Sequence, residues 1–146
     1  MTSPGREQYN VERFGSIFAD ISRYIRDLEE LHIERREDLN DKRNFYAVSM
    51  IFFSLLNRVI DLGSEMVIAR DLGVPSKYRD IFIILEKNEV IDSSLAQEML
   101  GMVTFRNLLS HEYHGIDEEK LFRLMQKIGG IRTFVETIRK EIQSQQ

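Results

Sequence analysis

Proline is the feature that most limits what this chain can fold into, because its 146 residues contain only Pro4 and Pro75. Proline breaks helix interiors, so long stretches without it are free to form helices. In those stretches the apolar residues recur every three or four positions, which is the spacing of an amphipathic helix, and no strand pattern stands out. The sequence therefore predicts an all-α fold.

The apolar spacing divides the chain into about five predicted helices. Their expected bounds are about residue 10 to the high thirties, Asn40 or Asp41 to Gly73-Val74-Pro75, Ser76 to Lys87-Asn88-Glu89, Asp92 or Ser93 to near Gly115, and Asp117 onward. Gly129-Gly130 inside the last helix predicts a kink there, because glycine weakens helices. Short connections between neighbours predict an antiparallel bundle.

Length and composition fit one soluble domain over residues 1–146, with residues 1–8 and 143–146 expected to fray. The chain has no cysteine, which excludes disulfides and thiolate metal sites and favours an intracellular, cytoplasmic location. The N-terminus lacks the apolar region of a signal peptide. The longest apolar stretch, around Met50 to Leu56, is too short to span a bilayer, so we expect no membrane association.

The net charge of −4 provides no global basic field for nucleic acid, so any contact with nucleic acid must be local.

One polar segment stands out, at residues 105–115, FRNLLSHEYHG. At about 100° per residue, five of its polar side chains share one arc of a helical wheel: Arg106, Asn107, Ser110, His111 and Tyr113. Three apolar side chains fall on the opposite side and are expected to face the core: Phe105, Leu108 and Leu109. A solvated helix end would show the same spacing, since arginine and histidine in a last turn complement the helix dipole.

Metal binding is not the chemistry that the sequence favours. His111-x-x-His114 lacks a carboxylate or thiol at the usual ligand spacing. Glu29-Glu30-Leu31-His32 supplies one Glu-x-x-His, half of what a di-iron bundle needs, and the sequence has no second copy. There is also no glycine-rich loop of the type that holds phosphates. We therefore expect no metal site and no such loop.

A histidine and an arginine without a metal suit RNA cleavage by the substrate's own 2′-hydroxyl group. Histidine has an unperturbed pKa of about 6.5, so it can give and take protons near neutral pH. Arginine offers a fixed fork of donors to phosphate oxygens that gain charge in the transition state. The arc holds one histidine, whereas the reaction uses a base and an acid. A two-fold dimer would place two arcs across one cleft.

The segment Arg106 to Tyr113, RNLLSHEY, fits the motif R-[polar]-x-x-x-H-x-Y, and through it the chain resembles the HepT-like toxins of the HEPN superfamily. The resemblance extends over the first two long helices, LGVPSKYRDIFIILEKNEVI, GMVTFRNLLSHEY and the helix after GIDEEKLF. It implies an all-α, HEPN-like bundle that forms a homodimer and acts as a metal-independent endoribonuclease toxin. Arg106 and His111 would be the catalytic pair, with Asn107 supporting them.

The resemblance also implies a partner, a minimal nucleotidyltransferase (MNT) antitoxin, in a type VII-like toxin–antitoxin system. This partner would transfer AMP from ATP to the tyrosine of the motif, here Tyr113. ATP and Mg²⁺ would belong to the partner, and this chain would need no cofactor. A bulky anion on the arc that carries Arg106 would occupy the phosphate path and compete for the arginine. The roles of Ser110 and His114 stay open.

Two other interpretations stay open. The bundle could be an interaction module that binds a nucleotidyltransferase or a nucleotide without cleaving RNA, or a purely structural bundle. The negative charge of the chain, with Glu112 and residues 117–119 beside the motif, favours weak or selective RNA binding. On this view the RNA surface would use Arg106, His111 and His114, extended by Arg123 and Lys127.

Overall fold

The computed structural model of this chain describes residues 9–110 and 115–144, which form α-helices, one 3-10 helix and no strand. The elements in chain order are α1 (Val11–Glu30), the 3-10 helix (Arg36–Asn40), α2 (Lys42–Ala69), α3 (Tyr78–Lys87), α4 (Ser93–Ser110), α5 (Glu118–Gln126) and α6 (Ile128–Ser144). The predicted all-α fold is confirmed.

The first helix is shorter than the sequence predicted. It ends at Glu30 rather than in the high thirties, and His32 follows with a positive φ of 51°. The amphipathic pattern of α1 stops at Leu28, and the charged run that follows offers no apolar face to pack. The chain turns instead into the 3-10 helix. There the Asp38 carboxylate accepts backbone hydrogen bonds from Arg35 and Glu34, which hold its pKa below the usual value.

Helix α2 is the centre of the bundle. Its 28 residues carry the largest set of buried side chains, including Phe52, Leu55 and Leu62, and it packs against every other α-helix in the described part of the chain. With a mean hydropathy of 1.5 over 18 residues, α2 is long and apolar enough to cross a membrane by length and composition. The central helix of a soluble bundle meets the same criteria. The helix ends at Ala69, four residues before the predicted break at Gly73.

Helix α3 approaches α2 closely at Gly63. A Cβ atom built on Gly63 would lie 2.8 Å from Cγ2 of Ile81, so only glycine permits this spacing without a shift. On its other side, the Phe82 ring makes an edge-on contact with Phe134 of α6, with ring centroids 5.5 Å apart. Tyr78 and Ile83 of α3 are 44% and 46% exposed. The fully buried contacts of α3 are therefore made by other residues, while Tyr78 faces outward.

The last predicted helix is divided into α5 and α6. Lys127 lies between them, where its N–H donates to the Leu124 carbonyl and its own carbonyl accepts from Gly130 at 3.1 Å. This break lies two residues before the glycine pair that predicted a kink. Helix α6 continues to Ser144, two residues into the stretch expected to fray. The extent of the domain over residues 1–146 stays a prediction.

Arg70, at the C-terminal end of α2, holds residues from near both ends of the described chain. Its Nε donates to the Tyr9 hydroxyl at 2.8 Å, and Nη2 donates to the Glu141 carboxylate at 2.6 Å. Burial alone would lower the pKa of Arg70, but the hydrogen bonds to Tyr9 and Glu141 outweigh it and the pKa is raised. Arg70 therefore remains charged and ties α6 and the segment before α1 to α2.

Candidate functional site

The polar segment of the sequence lies at the C-terminal end of α4. Arg106, Asn107 and Ser110 belong to its last two turns, whereas His111 and Tyr113 lie outside the described residues, as do Glu112 and His114. On the opposite side of the helix Leu109 is buried, and Phe105 and Leu108 are half-buried against the core. The predicted division into a polar arc and an apolar side therefore holds through residue 110.

Arg106 is held in place by residues from two other helices. Its Nε donates a 2.8 Å hydrogen bond to Oδ1 of Asn57 in α2. The guanidinium carbon lies 5.3 Å from the ring centroid of Phe53, also in α2, and 4.9 Å from that of Tyr78 in α3. Both distances fall within the range of cation–π contacts. These contacts restrict the orientation of the guanidinium group.

The local sequence explains why these groups meet. Phe53 and Asn57 are one turn apart on the face of α2 that the bundle does not bury. Tyr78 is the first residue of α3, so the close α2–α3 approach at Gly63 fixes where its ring lies. Arg106 reaches both from α4, which packs against α2 and α3. The site is thus shared by three helices.

Asn107 and Ser110 have more modest contacts. Asn107 is exposed, and its Oδ1 accepts a long hydrogen bond of 3.4 Å from Nη1 of Arg106. The Ser110 hydroxyl donates to the Asn107 carbonyl at 2.8 Å, one of the carbonyls that a helix end leaves without a backbone donor. Ser110 therefore has a structural role at the end of α4.

A groove of about 630 Å³ opens beside Arg106, between α3 and α4. Tyr78 and Asn107, both in contact with Arg106, form the end of the groove nearest to it. The other lining residues are Ser64, Pro75, Ser76, Lys77, Arg79, Ile81 and Val103. The groove thus combines an apolar surface with two cationic side chains. We refer to it below as the α3–α4 groove.

The cations beside Arg106 differ from those that the sequence suggested. Lys77 and Arg79 line the α3–α4 groove, and Arg79 also donates to the Thr104 hydroxyl at 3.4 Å. In contrast, Arg123 pairs with Glu119 within α5, and Lys127 lies over the Phe105 ring at 5.8 Å. Positive charge is therefore concentrated at the start of α3 rather than along α5.

In the described residues, no group of three or more histidine and acidic side chains is placed to hold a metal ion. His32 is exposed, and Glu29 of the same Glu-x-x-His sequence pairs with Arg132 at 3.4 Å. These contacts match a surface histidine beside acidic residues.

Sequence reasoning did not identify Asn57, Phe53 or the two cations of the groove as site residues. Asn57 carries a weak signal, since it is an amide within the largely apolar run from Ile51 to Leu62. A polar residue in such a run requires a hydrogen-bond partner, here Arg106. The identity of that partner could not be predicted, because it depends on the angle at which α4 crosses α2.

A family model described as "Ribonuclease HepT-like" matches residues 21–138. The chain is similar to "mRNA nuclease HepT" of Shewanella oneidensis, with 23% identity over 124 residues that cover 84% of this chain and 93% of the relative. Two solved structures share the fold. One is the tri-AMPylated Shewanella oneidensis HEPN toxin in complex with MNT antitoxin, at 21% identity and a TM-score of 0.81, over 87% of this chain and 96% of that one. The other is the cytosolic protein YutE from Bacillus subtilis, at 21% identity and a TM-score of 0.76, over 89% and 90%.

Proposed function

Because this chain belongs to the HepT-like ribonuclease family, we propose that it is the toxin of a HEPN/MNT-type toxin–antitoxin pair and cleaves RNA without a metal ion. Arg106 and His111 are the catalytic residues of this proposal, and Asn107 supports them. The nuclease activity draws support from the similarity to a protein named as an mRNA nuclease.

The observation that carries the proposal is the fixed orientation of Arg106. An arginine at a helix end normally loses side-chain entropy when it binds an anion. Here Asn57 and the rings of Phe53 and Tyr78 have already restricted the side chain, so the guanidinium group is arranged for phosphate before RNA arrives. A residue that served only the helix dipole would not need contacts from two other helices.

In the proposed reaction the 2′-oxygen of one ribose attacks the adjacent phosphorus, and His111 accepts the 2′-hydroxyl proton. The bond from phosphorus to the 5′-oxygen breaks as an acid donates a proton to that oxygen, which leaves a 2′,3′-cyclic phosphate. The equivalent histidine of a second subunit provides this acid. Arg106 donates to the nonbridging oxygens as they gain charge.

The dimer that this chemistry requires is supported by an exposed stripe on α2. Tyr46 and Met50 are 61% and 67% exposed and lie on the same helix face as Phe53 and Asn57. Large apolar side chains that are exposed side by side are common at interfaces. A second copy packed along this stripe would bring its own Arg106 close to the first.

The proposed regulation is AMP transfer to Tyr113 by a cognate MNT antitoxin, which supplies the ATP site and Mg²⁺. One similar structure is a HEPN toxin with AMP groups attached, bound to its MNT antitoxin. A phosphate attached near Arg106 would compete with RNA for the same guanidinium donors. A pair acting on RNA in this way would work in the cytoplasm, and one structural relative is described as cytosolic.

The test is an RNA-cleavage assay with EDTA present. Arg106→Ala and His111→Ala should abolish cleavage while both variants remain folded dimers. Arg139→Ala and His32→Ala are matched controls. Arg139 also lies over a phenylalanine ring, that of Phe18 at 4.6 Å, and His32 is an exposed histidine. Cleavage by Arg106→Ala or His111→Ala at the wild-type rate would refute the catalytic assignment.

A second assay separates the toxin from a non-cleaving interaction module. The protein is mixed with its cognate nucleotidyltransferase, ATP and Mg²⁺, and the mass of the peptide containing Tyr113 is measured. AMP adducts on the wild type but not on Tyr113→Phe support the proposed regulation. A dimer that binds the transferase yet cuts no RNA would favour the interaction module.

A further inference from the structure

The α3–α4 groove has the features of a ligand site that the catalytic residues do not explain. Its volume of about 630 Å³ falls in the range of about 300–1,000 Å³ typical of small-molecule sites. In the described part of the chain its lining contains two cations and no carboxylate, although the whole chain carries a net charge of −4. This local reversal of charge favours an anionic ligand.

The apolar part of the groove lies next to these cations. The ring of Tyr78, which is 44% exposed, and the ring of Pro75 form its accessible apolar surface, above the buried side chains of Ile81 and Val103. A flat, uncharged group can pack there while a phosphate contacts Lys77 or Arg79. Single-stranded RNA offers this pair of groups, because each unpaired nucleotide has a base that can leave the stack and a charged phosphate.

The groove begins where Arg106 is held. The Tyr78 ring both lines the groove and contacts the Arg106 guanidinium, and Asn107 lines the groove and accepts from Arg106. If Arg106 binds the phosphate that is cleaved, the groove is therefore placed to bind the neighbouring nucleotide of the same RNA strand. We infer that the α3–α4 groove binds the nucleotide next to the cleaved phosphate, with its base on the rings of Tyr78 and Pro75 and its phosphate at Lys77 and Arg79. This inference rests on the proposed function.

The loop that carries the groove residues is already ordered. The Asp80 carboxylate accepts from the Ser76 hydroxyl at 2.8 Å and from the backbone N–H groups of Ser76 and Lys77 at 3.1 Å each. These bonds, led by that of the Ser76 hydroxyl, hold the pKa of Asp80 below its usual value. The Asp80 carboxylate is thus occupied by hydrogen bonds from the loop itself, and these bonds fix the backbone at Lys77.

The experiment measures binding of a fluorescein-labelled, ten-nucleotide single-stranded RNA to the dimer, in the His111→Ala background so that the RNA stays intact. The double variant Lys77→Ala/Arg79→Ala should reduce the slope of log Kd against log salt by about 0.7, because both cations contact the same phosphate in this proposal. The control Lys87→Ala/Arg139→Ala removes equal charge away from the groove and should leave the slope unchanged.

A second variant tests the apolar part of the groove. Ser64 is half-buried at the groove, so Ser64→Tyr should fill it without removing charge. We expect this variant to weaken RNA binding about tenfold, the loss of one base contact, and to change the cleavage pattern in an otherwise wild-type dimer. Circular dichroism and thermal unfolding check that both variants fold.

The outcomes separate this inference from the proposed function. If wild type cuts RNA through Arg106 but the groove variants bind and cut like wild type, the groove assignment is overturned. If wild type cuts no RNA but the salt slope and the Ser64→Tyr effect appear as expected, the groove binds RNA and the nuclease proposal fails. If the variants lose binding to the cognate nucleotidyltransferase while RNA binding is unchanged, the groove is a protein-docking surface and the inference is wrong.

Discussion

Asn57 gives the sharpest test of how the site works, because it contacts Arg106 without being placed to touch RNA. Its Oδ1 accepts from Nε of Arg106 at 2.8 Å, a half-buried hydrogen bond with a charged donor. Such bonds contribute about 1.5–3 kcal/mol. In Asn57→Ala water can reach the freed Nε in part, so we expect a loss near the lower end, about 1–2 kcal/mol. If this loss falls on the transition state, kcat decreases about 5- to 30-fold.

The assay compares kcat and KM for cleavage of one defined RNA. Asn57→Ala should lower kcat more than it raises KM, since the aromatic contacts with Phe53 and Tyr78 still hold the guanidinium near its place. Asn57→Asp keeps an acceptor and should restore the orientation, but its charge competes with phosphate, so KM rises and depends more strongly on salt. If Asn57 had a purely structural role, its substitution would not lower kcat more than it raises KM.

Asn44→Ala is the matched control. Asn44 is also a half-buried asparagine of α2, but its Nδ2 donates to the Asp38 carbonyl at 2.9 Å, beside the 3-10 helix. This variant should lose a comparable amount of stability and keep its cleavage rate. The explanation of Arg106 positioning is refuted if Asn57→Ala cleaves within twofold of wild type, or if Asn44→Ala lowers kcat as much.

Three further predictions concern the elements that place the site. Gly63→Ala should destabilise the fold by about 1–3 kcal/mol, measured by urea unfolding, because the added Cβ lies 2.8 Å from Ile81. Phe82→Ala should cost about 3–5 kcal/mol, since this fully buried ring contacts α6; an unchanged urea midpoint would contradict this. The Asp80 pKa is lower in the folded state than its ordinary value of about 3.9, so its contribution to stability is complete above about pH 4 and disappears as pH falls through the folded pKa. The difference in urea midpoint between wild type and Asp80→Asn should therefore narrow below about pH 4, and a difference that stays constant to pH 3 would exclude this role.

The fold was predictable where apolar periodicity was strong. The spacing that predicted the first helix and the helical region after Asp117 reflects side chains that are buried, so the pattern and the structure have the same cause. The end of α1 was not predictable in the same way, because the charged residues from Glu34 to Asp38 fit a solvated helix as well as a turn. The chain turns at His32, which has a positive φ. Sequence patterns predict a positive φ mainly at glycine, so nothing in the sequence indicated this turn.

The site was predictable only in part. The wheel placed Arg106 and Asn107 on the polar side of α4 because both lie on one helix. The contacts that hold Arg106 come from α2 and α3, and they depend on a crossing that Gly63 permits. One sequence does not encode such a crossing in any local pattern. The roles of His111 and Tyr113 stay predictions that follow from the motif.

The ten-residue helix α3 supplies Tyr78 to the site and Arg79 to the groove beside it, and Lys77, the residue before the helix, is the second cation of the groove. Short elements at the edge of a bundle open with a smaller free energy than the whole molecule needs to unfold. When α3 opens, Arg106 loses the Tyr78 ring and the groove loses one wall, whereas the contacts between α2 and α1 remain. Loss of activity on heating should therefore precede global unfolding, and amide hydrogen exchange in α3 should follow the temperature at which cleavage stops. The proposed nuclease activity would then be lost at a temperature at which the rest of the bundle is still folded.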